Sequence, residues 1–142
     1  DWRTVFLLSG LIPLGIAMQE TNAANWLAHH LLSLMGTPPP VIFFFIVGLL
    51  TTLLTLVVSN VGAAVLLVPL VVDMAATIGV DPRLAALVVG VAASNSFLLP
   101  THQVNALYMG PGGYTSVDYI KAGTPLSLLF LLVLTAVVVL VY

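Results

Sequence analysis

The sequence predicts an all-α integral membrane chain that contains a re-entrant helical hairpin and a broken transmembrane helix. Of its 142 residues, 61% are hydrophobic and only 6% are charged, and its mean hydropathy is +1.19. A soluble domain could not keep so much apolar surface from water. Two of its long apolar segments are each interrupted by a few polar residues. Backbone that leaves the helix at membrane depth persists only against protein or a watery cavity, so these interruptions indicate built sites.

The charges, and the residue types that are missing, narrow the possible functions. The formal net charge is -2, from three basic and five acidic residues, so there is no basic patch of the kind that binds nucleic acid. The chain has no cysteine, which excludes disulfides and thiol nucleophiles. It begins with Asp1 rather than with methionine, and we expect it to be a fragment of a longer protein.

The first two predicted elements are a transmembrane helix over 4–20 and an interfacial amphipathic helix over 21–36. Trp2 and Arg3 precede the first helix, and both residue types commonly lie at the membrane surface. In the second helix, polar residues recur every three or four positions, which is the spacing of one helical face. The polar positions are Asn22, Asn25, His29 and Ser33, opposite Ala24, Trp26, Leu27, Leu31, Leu34 and Met35. The run Pro38-Pro39-Pro40 prevents the helix from continuing.

Residues 41–79 are predicted to form the re-entrant hairpin. This stretch carries no charge before Asp73, and at about 1.5 Å per residue it is roughly twice as long as one bilayer crossing needs. It therefore has to fold back, and Ser59-Asn60-Val61-Gly62 near its centre is the predicted tip. The first arm would then end in backbone carbonyls that suit a cation, and the second would begin with N–H groups that suit an anion.

A broken transmembrane helix is predicted over 82–109. Asp81 suits the N-cap of this helix, and Pro82 suits its first position. The break is predicted at Ser94-Asn95-Ser96 and in the polar stretch from Pro100 to Asn105. A second polar interruption of an apolar segment is therefore expected to face the hairpin tip.

The last part of the chain is predicted to be scaffold. A short interfacial helix over 116–122 is expected to stop at Gly123. The final transmembrane helix is then expected to run over 124–142, with no polar side chain between Thr135 and the terminal Tyr142.

Two Ser-Asn pairs, which lie 35 residues apart (Ser59 and Ser94), are the candidates for a binding site. They stand in VVSNVGAAVLLVP and VAASNSFLLP, each inside an apolar segment and each followed by a proline. Hydroxyls, amide oxygens and unwound carbonyls are hard oxygen donors suited to Na⁺, while helix N-termini suit a carboxylate or sulfate. Neither break contains Lys or Arg, so a cation bound beside the anion would offset the cost of carrying negative charge into the membrane. Each ligand is then expected to raise the affinity for the other.

At these residues the chain resembles a known family. Ser59-Asn60-Val61, followed by SNSFLLPTHQVNALYMGPGGY, looks like the second inverted repeat of the divalent anion/sodium symporter family, the sodium-coupled sulfate and dicarboxylate carriers. The opening DWRTVFLLSGLIPLGIAMQETNAA is similar to the helix that precedes the hairpin in that family. The resemblance implies a fold that is half of an inverted-repeat secondary transporter. It also implies a function in sodium-coupled symport of a small divalent anion, either sulfate or a dicarboxylate.

The resemblance further implies which residues bind. Those expected to bind sodium are Ser59, Asn60, Val61, Gly62, Ser94, Thr101 and His102. Those expected to contact the substrate are Ser59, Asn60, Asn95, Ser96, Thr101, His102, Gln103 and Asn105. The chain departs from the family at Val61, where the family has Thr, and at Thr101 to Asn105, where dicarboxylate carriers have a Thr-Pro-Pro-Asn-like loop. Sulfate or another small oxyanion is therefore as well supported as a dicarboxylate.

The resemblance also supplies the expected partners. They are a small anionic substrate, Na⁺ as coupling ion with no other cofactor, the lipid bilayer, the N-terminal repeat of the same transporter, and a second copy in a homodimer of the whole protein; nucleic acid is not expected. Arg3 and Lys121 are expected on one side, which predicts a multi-pass protein of the cell membrane whose hairpin opens away from the cytoplasm. Because Ser127 lies on the scaffold helix, Ser127→Ala is expected to change transport little.

Three other functions remain open from the sequence. A related carrier could take citrate or arsenite or exchange sodium for protons, although an exchanger would favour intramembrane carboxylates and only Asp73 comes near the membrane. A membrane enzyme could use His29, His30 and His102, but adjacent residues on a helix point about 100° apart, and no cysteine stands beside them. A non-transporting sensor or assembly subunit would need no ion dependence.

Overall fold

A computed structural model describes five helices of the chain from end to end. The described residues are 20–36, 38–99 and 108–141, together with Asn105 and positions 2, 5, 6, 9, 10, 13, 16 and 17. In chain order the helices are α1 (Ala23–Met35), α2 (Pro40–Thr55), α3 (Asn60–Ile78), α4 (Pro82–Ala92) and α5 (Ser116–Val141). These residues contain no strand, so the predicted all-α class holds for them. Most of the transmembrane helix predicted over 4–20 lies outside the described residues, although every described position within it is helical.

Helix α1 packs one face on α3, and that face matches the predicted one only in part, since Leu27 and Leu31 pack against the core as expected. Ala28 and Leu32, four residues apart, are buried in the core, and the two helices are in contact. Trp26 and Leu34, which were expected on the apolar side, are exposed. The small side chain of Ala28 allows close approach to α3, whereas the Trp26 ring stacks on the His30 ring with their centroids 5.3 Å apart. The buried stripe therefore centres on Ala28 and Leu32 and leaves out Trp26 and Leu34 of the predicted apolar side.

Helices α2 and α3 form a helical hairpin around a four-residue turn. Pro40 occupies the first helical position of α2, which needs no N–H donor, and α2 ends at Thr55. Ser59 caps α3, because its Oγ accepts a hydrogen bond from the Gly62 N–H at 3.1 Å. The turn therefore lies at residues 56–59, immediately before the predicted tip residue Asn60. That the hairpin enters and leaves the membrane on one side stays a prediction.

Helix α4 fixes the relative directions of the hairpin arms. A Cβ on Gly48 would lie 3.8 Å from Val88 Cγ1 and 4.0 Å from Ala92 Cβ, and Thr55 contacts the Ala93 carbonyl. Later residues of α2 thus lie beside later residues of the α4 segment, so the two run in the same direction. Helix α3 joins α4 through the short turn at 79–81 and packs against it, so α3 runs in the opposite direction to both. The first arm, the second arm and α4 consequently bring the end of α2, the start of α3 and the end of α4 to one level.

The core lies between these three helices and includes two residues from α1 and one from α5. Its buried side chains are Ala28, Leu32, Phe43, Phe44, Val47, Leu67, Leu70, Val71, Met74, Ala75, Ala85, Val88, Val89 and Val138. Because lipid is as apolar as these side chains, close van der Waals packing rather than exclusion from water stabilises this core. The apolar core sits toward the base of the hairpin, which leaves the polar groups near its turn.

Helix α5 is continuous where two helices were predicted. It runs from Ser116 to Val141 through Gly123 and Pro125, so the predicted stop at Gly123 is wrong. Gly123 is buried, and a Cβ there would overlap the Phe97 carbonyl. The glycine therefore permits close packing of α5 on the segment after α4 instead of ending a helix. A proline inside an apolar helix is tolerated where neighbouring groups satisfy the freed carbonyl.

Two of the five described helices are long and apolar enough to cross a membrane, namely α3 and α5. Helix α2 is also apolar but has 16 residues, which is about 24 Å of helix against a hydrocarbon thickness of about 30 Å. The α4 segment is shorter still, because helix ends at Ala92 and residues 93–99 are not helical. The break thus begins beside the predicted Ser94; residues 100–104, 106 and 107 lie outside the described residues.

Candidate functional site

The hairpin turn brings three oxygen atoms from three segments together. Thr55 Oγ1, at the end of α2, lies 2.6 Å from Asn60 Oδ1 at the start of α3. The same hydroxyl lies 3.0 Å from the backbone carbonyl oxygen of Ala93, directly after α4. Thr55 is buried, and Asn60 is half-buried. We call these three residues the oxygen cluster.

The oxygen cluster has more acceptors than hydrogens. A threonine hydroxyl carries one hydrogen, so Thr55 can donate to Asn60 Oδ1 or to the Ala93 carbonyl but not to both at once. In the structure the Asn60 amide oxygen faces Thr55, so two acceptor oxygens share one hydroxyl hydrogen at a partly buried point.

Three helix ends surround the oxygen cluster. Helices α2 and α4 both finish beside it, at Thr55 and Ala92, whereas α3 begins there at Asn60. Helix C-termini carry about half a negative charge and N-termini about half a positive charge. Two C-terminal ends next to three oxygens give a negative local potential, while the start of α3 offers N–H groups a few ångströms further along.

A second polar group, formed by Thr52, Asn95 and Ser127, lies one helical turn below the oxygen cluster. Asn95 is fully buried; its Nδ2 donates to Thr52 Oγ1 at 3.1 Å, and its Oδ1 accepts from Ser127 Oγ at 2.9 Å. Asn95 was predicted to contact the substrate, and that prediction stays untested. In the structure its amide joins α2 to α5. Ser127, expected on a plain scaffold face, is buried within this group.

The other described residues of the break hydrogen-bond to its backbone carbonyl groups. Ser94 Oγ donates to the Val91 carbonyl at 2.6 Å. Asn105 Nδ2 donates to the carbonyls of Ser96 at 2.8 Å and Leu99 at 3.3 Å, and the Asn105 carbonyl accepts from the Tyr119 hydroxyl at 2.9 Å. Carbonyls freed by the end of α4 are thus satisfied from within the break.

The predicted site residues that the structure describes divide into two sets. Ser59, Asn60 and Gly62 lie at the hairpin turn, and Ser94, Asn95, Ser96 and Asn105 lie in the break, so the two predicted halves do meet through Thr55 and Ala93. Val61 is 38% exposed and brings no side-chain oxygen. Thr101, His102 and Gln103 lie outside the described residues.

Thr55, Ala93 and Thr52 were not singled out from the sequence, and Ser127 was named only as a scaffold residue. Thr55 stands five positions before Asn60, a separation that places it opposite the asparagine only once the chain turns between them. Ser127 could have been flagged as one of the few hydroxyls in an apolar helix. Its partner Asn95 is 32 positions away, however, and no local pattern connects the two.

The proposed histidine chemistry gains no support from the described part of the chain. Within it, no group of three His, Cys, Asp or Glu side chains could hold a metal ion. His29 and His30 are exposed on α1. Since His102 lies outside the described residues, its distance from them stays untested.

A cavity of about 320 Å³ lies between the break and α5. Its lining residues are Phe97, Asn105, Tyr114, Asp118, Tyr119, Ala122, Gly123 and Leu126. Most of these come from α5 and the turn before it, and they are mainly apolar. None of them belongs to the oxygen cluster.

Comparison with known proteins identifies the family. Residues 1–92, which include α1, the hairpin and α4, match the sequence model of the citrate transporter family, CitMHS. The chain belongs to the citrate transporter family. The prediction of a divalent anion transporter family, made from the two Ser-Asn segments, is therefore confirmed, and the chain is a membrane protein.

This member of the citrate transporter family has relatives that align with nearly its whole length. It is 37% identical over 142 residues to an uncharacterized transporter, sll0640, of Synechocystis, covering 99% of this chain and 23% of that protein. It is 27% identical over 138 residues to the sodium-dependent dicarboxylate transporter SdcS of Staphylococcus saprophyticus, covering 96% and 26%. It is 31% identical over 135 residues to mouse solute carrier family 13 member 2, covering 94% and 23%. The chain thus spans about a quarter of the length of the relatives it matches.

Proposed function

We propose that the chain supplies one sodium site and part of the adjoining anion site of a secondary transporter that couples Na⁺ to the uptake of a small divalent anion. The observation that carries the proposal is the convergence of Thr55 Oγ1, Asn60 Oδ1 and the Ala93 carbonyl at the ends of α2 and α4. Transport, substrate and coupling are properties of the whole protein, of which this chain forms a fraction.

The oxygen cluster has the chemistry of a monovalent cation site. Hydroxyl, amide and carbonyl oxygens are uncharged hard donors, and discontinuous helices in transporters use such groups with C-terminal helix ends to hold Na⁺. A cation would be coordinated by all three oxygens at once, whereas the single Thr55 hydrogen serves one acceptor at a time. Full carboxylates would favour a divalent ion or a proton, and the cluster contains none.

The start of α3 supports the anion half of the proposal. The N-terminal N–H groups of a helix attract anions, and α3 begins within the oxygen cluster at Asn60. An anion at the N-terminus of α3 would lie beside the bound Na⁺. Each charge would then lower the free-energy cost of removing the other from water. The affinity of either ligand should then rise with the concentration of the other, by the same factor in both directions.

The substrate class that we propose is a dicarboxylate or an anion of similar size and charge, with sulfate as the second candidate. A relative bears the name sodium-dependent dicarboxylate transporter, and the matching family is named for citrate. The Thr101-to-Asn105 sequence differs from the Thr-Pro-Pro-Asn-like loop of dicarboxylate carriers, which keeps the smaller oxyanion in the comparison. We further propose that the rest of the protein completes the site with its other repeat and that two copies assemble.

Uptake by the full-length protein in sealed vesicles tests this function. Labelled succinate, citrate and sulfate are offered with an inward Na⁺ gradient and, as the control, with an equal choline gradient. We expect one of the three to accumulate only with Na⁺. Uptake that is equal in choline, or that follows a proton gradient alone, would refute sodium coupling, and absence of uptake of all three would favour the non-transporting subunit.

A further inference from the structure

The buried group of Thr52, Asn95 and Ser127 ties three separate segments together at one point. Asn95 belongs to the break after α4, Thr52 to α2, and Ser127 to α5. All three residues are buried, with exposed fractions of 0%, 1% and 4% for Asn95, Thr52 and Ser127 respectively. An asparagine so deeply enclosed is held by its partners and is not presented to a ligand.

The hydrogen bonds of this group run in one direction. Ser127 Oγ donates to Asn95 Oδ1 at 2.9 Å, Asn95 Nδ2 donates to Thr52 Oγ1 at 3.1 Å, and Thr52 Oγ1 donates to the Gly48 carbonyl at 2.9 Å. Each hydroxyl uses its single hydrogen, and the asparagine amide is fixed with its oxygen toward α5. Removing either hydroxyl leaves one face of a buried amide without its partner.

The same turn of α2 holds the break at a second point, in the oxygen cluster. Thr52 and Thr55 are three residues apart and therefore lie on one side of α2. Thr52 binds the side chain of Asn95, while Thr55 contacts the carbonyl of Ala93, two residues earlier in the same break. The position of the Ala93 oxygen relative to Asn60 thus depends on where Asn95 is anchored.

Close packing around Ser127 makes the anchor stiff. On one side of it, a Cβ on Gly123 would overlap the Phe97 carbonyl; on the other, a Cβ on Gly48 would lie 2.9 Å from Leu131 Cδ2. Helix α5 therefore lies close against both the break and α2. A side chain locked in this way can fix a neighbouring carbonyl to within a fraction of an ångström.

We propose that Asn95, held by Thr52 and Ser127, is a positioning residue that sets the Ala93 carbonyl in the cation site without touching either ion. This inference rests on the proposed sodium function of the oxygen cluster. It assigns α5 a part in ion binding, and it revises the expectation that Ser127→Ala changes little.

Sodium dependence of uptake in the full-length protein tests the proposal. In Ser127→Ala and in Thr52→Val, the Na⁺ concentration for half-maximal uptake should rise by about two- to tenfold, the effect of losing one hydrogen bond. Uptake at saturating Na⁺ should be retained. Thr52→Ser keeps the hydroxyl and should behave like the parent. Thr135→Val removes another buried hydroxyl of α5 and serves as the matched control.

Two further readouts separate positioning from mere stabilisation. The Na⁺-induced rise in the Tm of each purified variant measures ion binding even where uptake is weak, and it should need more Na⁺ in Ser127→Ala. In a Thr55→Val background, Ser127→Ala should have a smaller effect on the Na⁺ requirement than it has alone, because both changes act on one site.

The results that would contradict the positioning role differ from those that would contradict the proposed sodium function. An unchanged Na⁺ requirement in both Ser127→Ala and Thr52→Val would overturn the positioning role, while loss of Na⁺ affinity in Thr55→Val would leave the sodium site standing. A change in substrate affinity with no change in Na⁺ requirement would overturn it too, because Asn95 would then act on the anion. A parent protein without any Na⁺ dependence would remove the proposed function itself.

Discussion

Thr51, Thr52 and Thr55 lie within little more than one turn of α2, and their hydroxyls have different partners. Thr51 donates to the Val47 carbonyl, one turn earlier, as threonines in apolar helices commonly do. Thr52 makes the same bond and also accepts from Asn95. Only Thr55 contacts Asn60 and Ala93. These differences depend on residues far along the chain, so the sequence could not separate the three.

Asn60 and Ser59, by contrast, could be predicted, because the pattern that marks them is local in the sequence. A Ser-Asn pair in the middle of a long apolar segment has no role in an unbroken helix, and the need for a turn there follows from the length of the segment. Ser59 does cap α3, and Asn60 does open it. What the pattern could not supply was the carbonyl of Ala93, since a backbone oxygen leaves no mark in the sequence.

Substitution of Asn60 should affect both ligands if the cluster binds Na⁺ beside the anion. In the full-length protein, Asn60→Ala removes one oxygen ligand and should weaken Na⁺ binding by about 10- to 100-fold, the range for a bond to a charged group. Anion affinity should fall with it through the coupling. Both are measured as half-saturating concentrations for uptake.

Asn60→Asp provides the chemical control, because it keeps the oxygen and adds a negative charge. Na⁺ affinity should be retained or increased, while anion affinity should drop. If Asn60→Ala left both affinities unchanged, the hairpin turn would not be the site.

Among the helices, α5 shows most clearly why element boundaries escaped prediction. The tripeptide Gly123-Thr124-Pro125 has the residues of a helix stop and restart, yet the helix continues. The glycine is required by the Phe97 backbone lying against it, and packing of this kind overrides local preference. The hairpin arms and the end of α4 were easier to predict. The bilayer thickness limits the length of an uncharged helix, and polar residues inside an apolar segment mark where the helix breaks.

Two glycines in helices provide a matched test of that packing. Gly123→Ala should destabilise the full-length protein by about 1–3 kcal/mol, since the added methyl group overlaps the Phe97 carbonyl. Gly90→Ala in α4 meets nothing within 4 Å and should be neutral or stabilising by up to about 1 kcal/mol. The Tm of each purified variant is the measurement. Equal Tm values for the two variants would show that α5 does not pack on the break.

For the whole molecule, the sequence predicted the family correctly and left the path through the membrane open. The two Ser-Asn segments identified a divalent anion transporter family, and the match over residues 1–92 agrees with it. Helices α2 and α3 form a hairpin, but their length alone does not decide whether both ends emerge on one side. With 19 residues, α3 is long enough to cross by itself.

Labelling from one side of the membrane decides the path. Val41→Cys and Thr77→Cys place exposed cysteines near the two ends of the hairpin, in a full-length background without other cysteines. Because α2 spans only about 24 Å, we expect a membrane-impermeant maleimide to reach both from the same side. Val57→Cys, at the exposed turn, is the control for depth and should react more slowly than either. Labelling of Val41→Cys and Thr77→Cys from opposite sides would mean that the chain crosses the membrane here.

The most direct test of the sodium site compares two threonines on the same helix in the full-length protein. Thr55→Val removes the hydroxyl of the oxygen cluster, and Thr51→Val removes a buried hydroxyl one turn away that binds only the helix backbone. The Na⁺ concentration for half-maximal uptake is measured for both. We predict a rise of about tenfold or more for Thr55→Val and a change of less than about twofold for Thr51→Val. An unchanged Na⁺ requirement in Thr55→Val, or equal shifts in the two variants, would contradict a cation site at Thr55, Asn60 and Ala93.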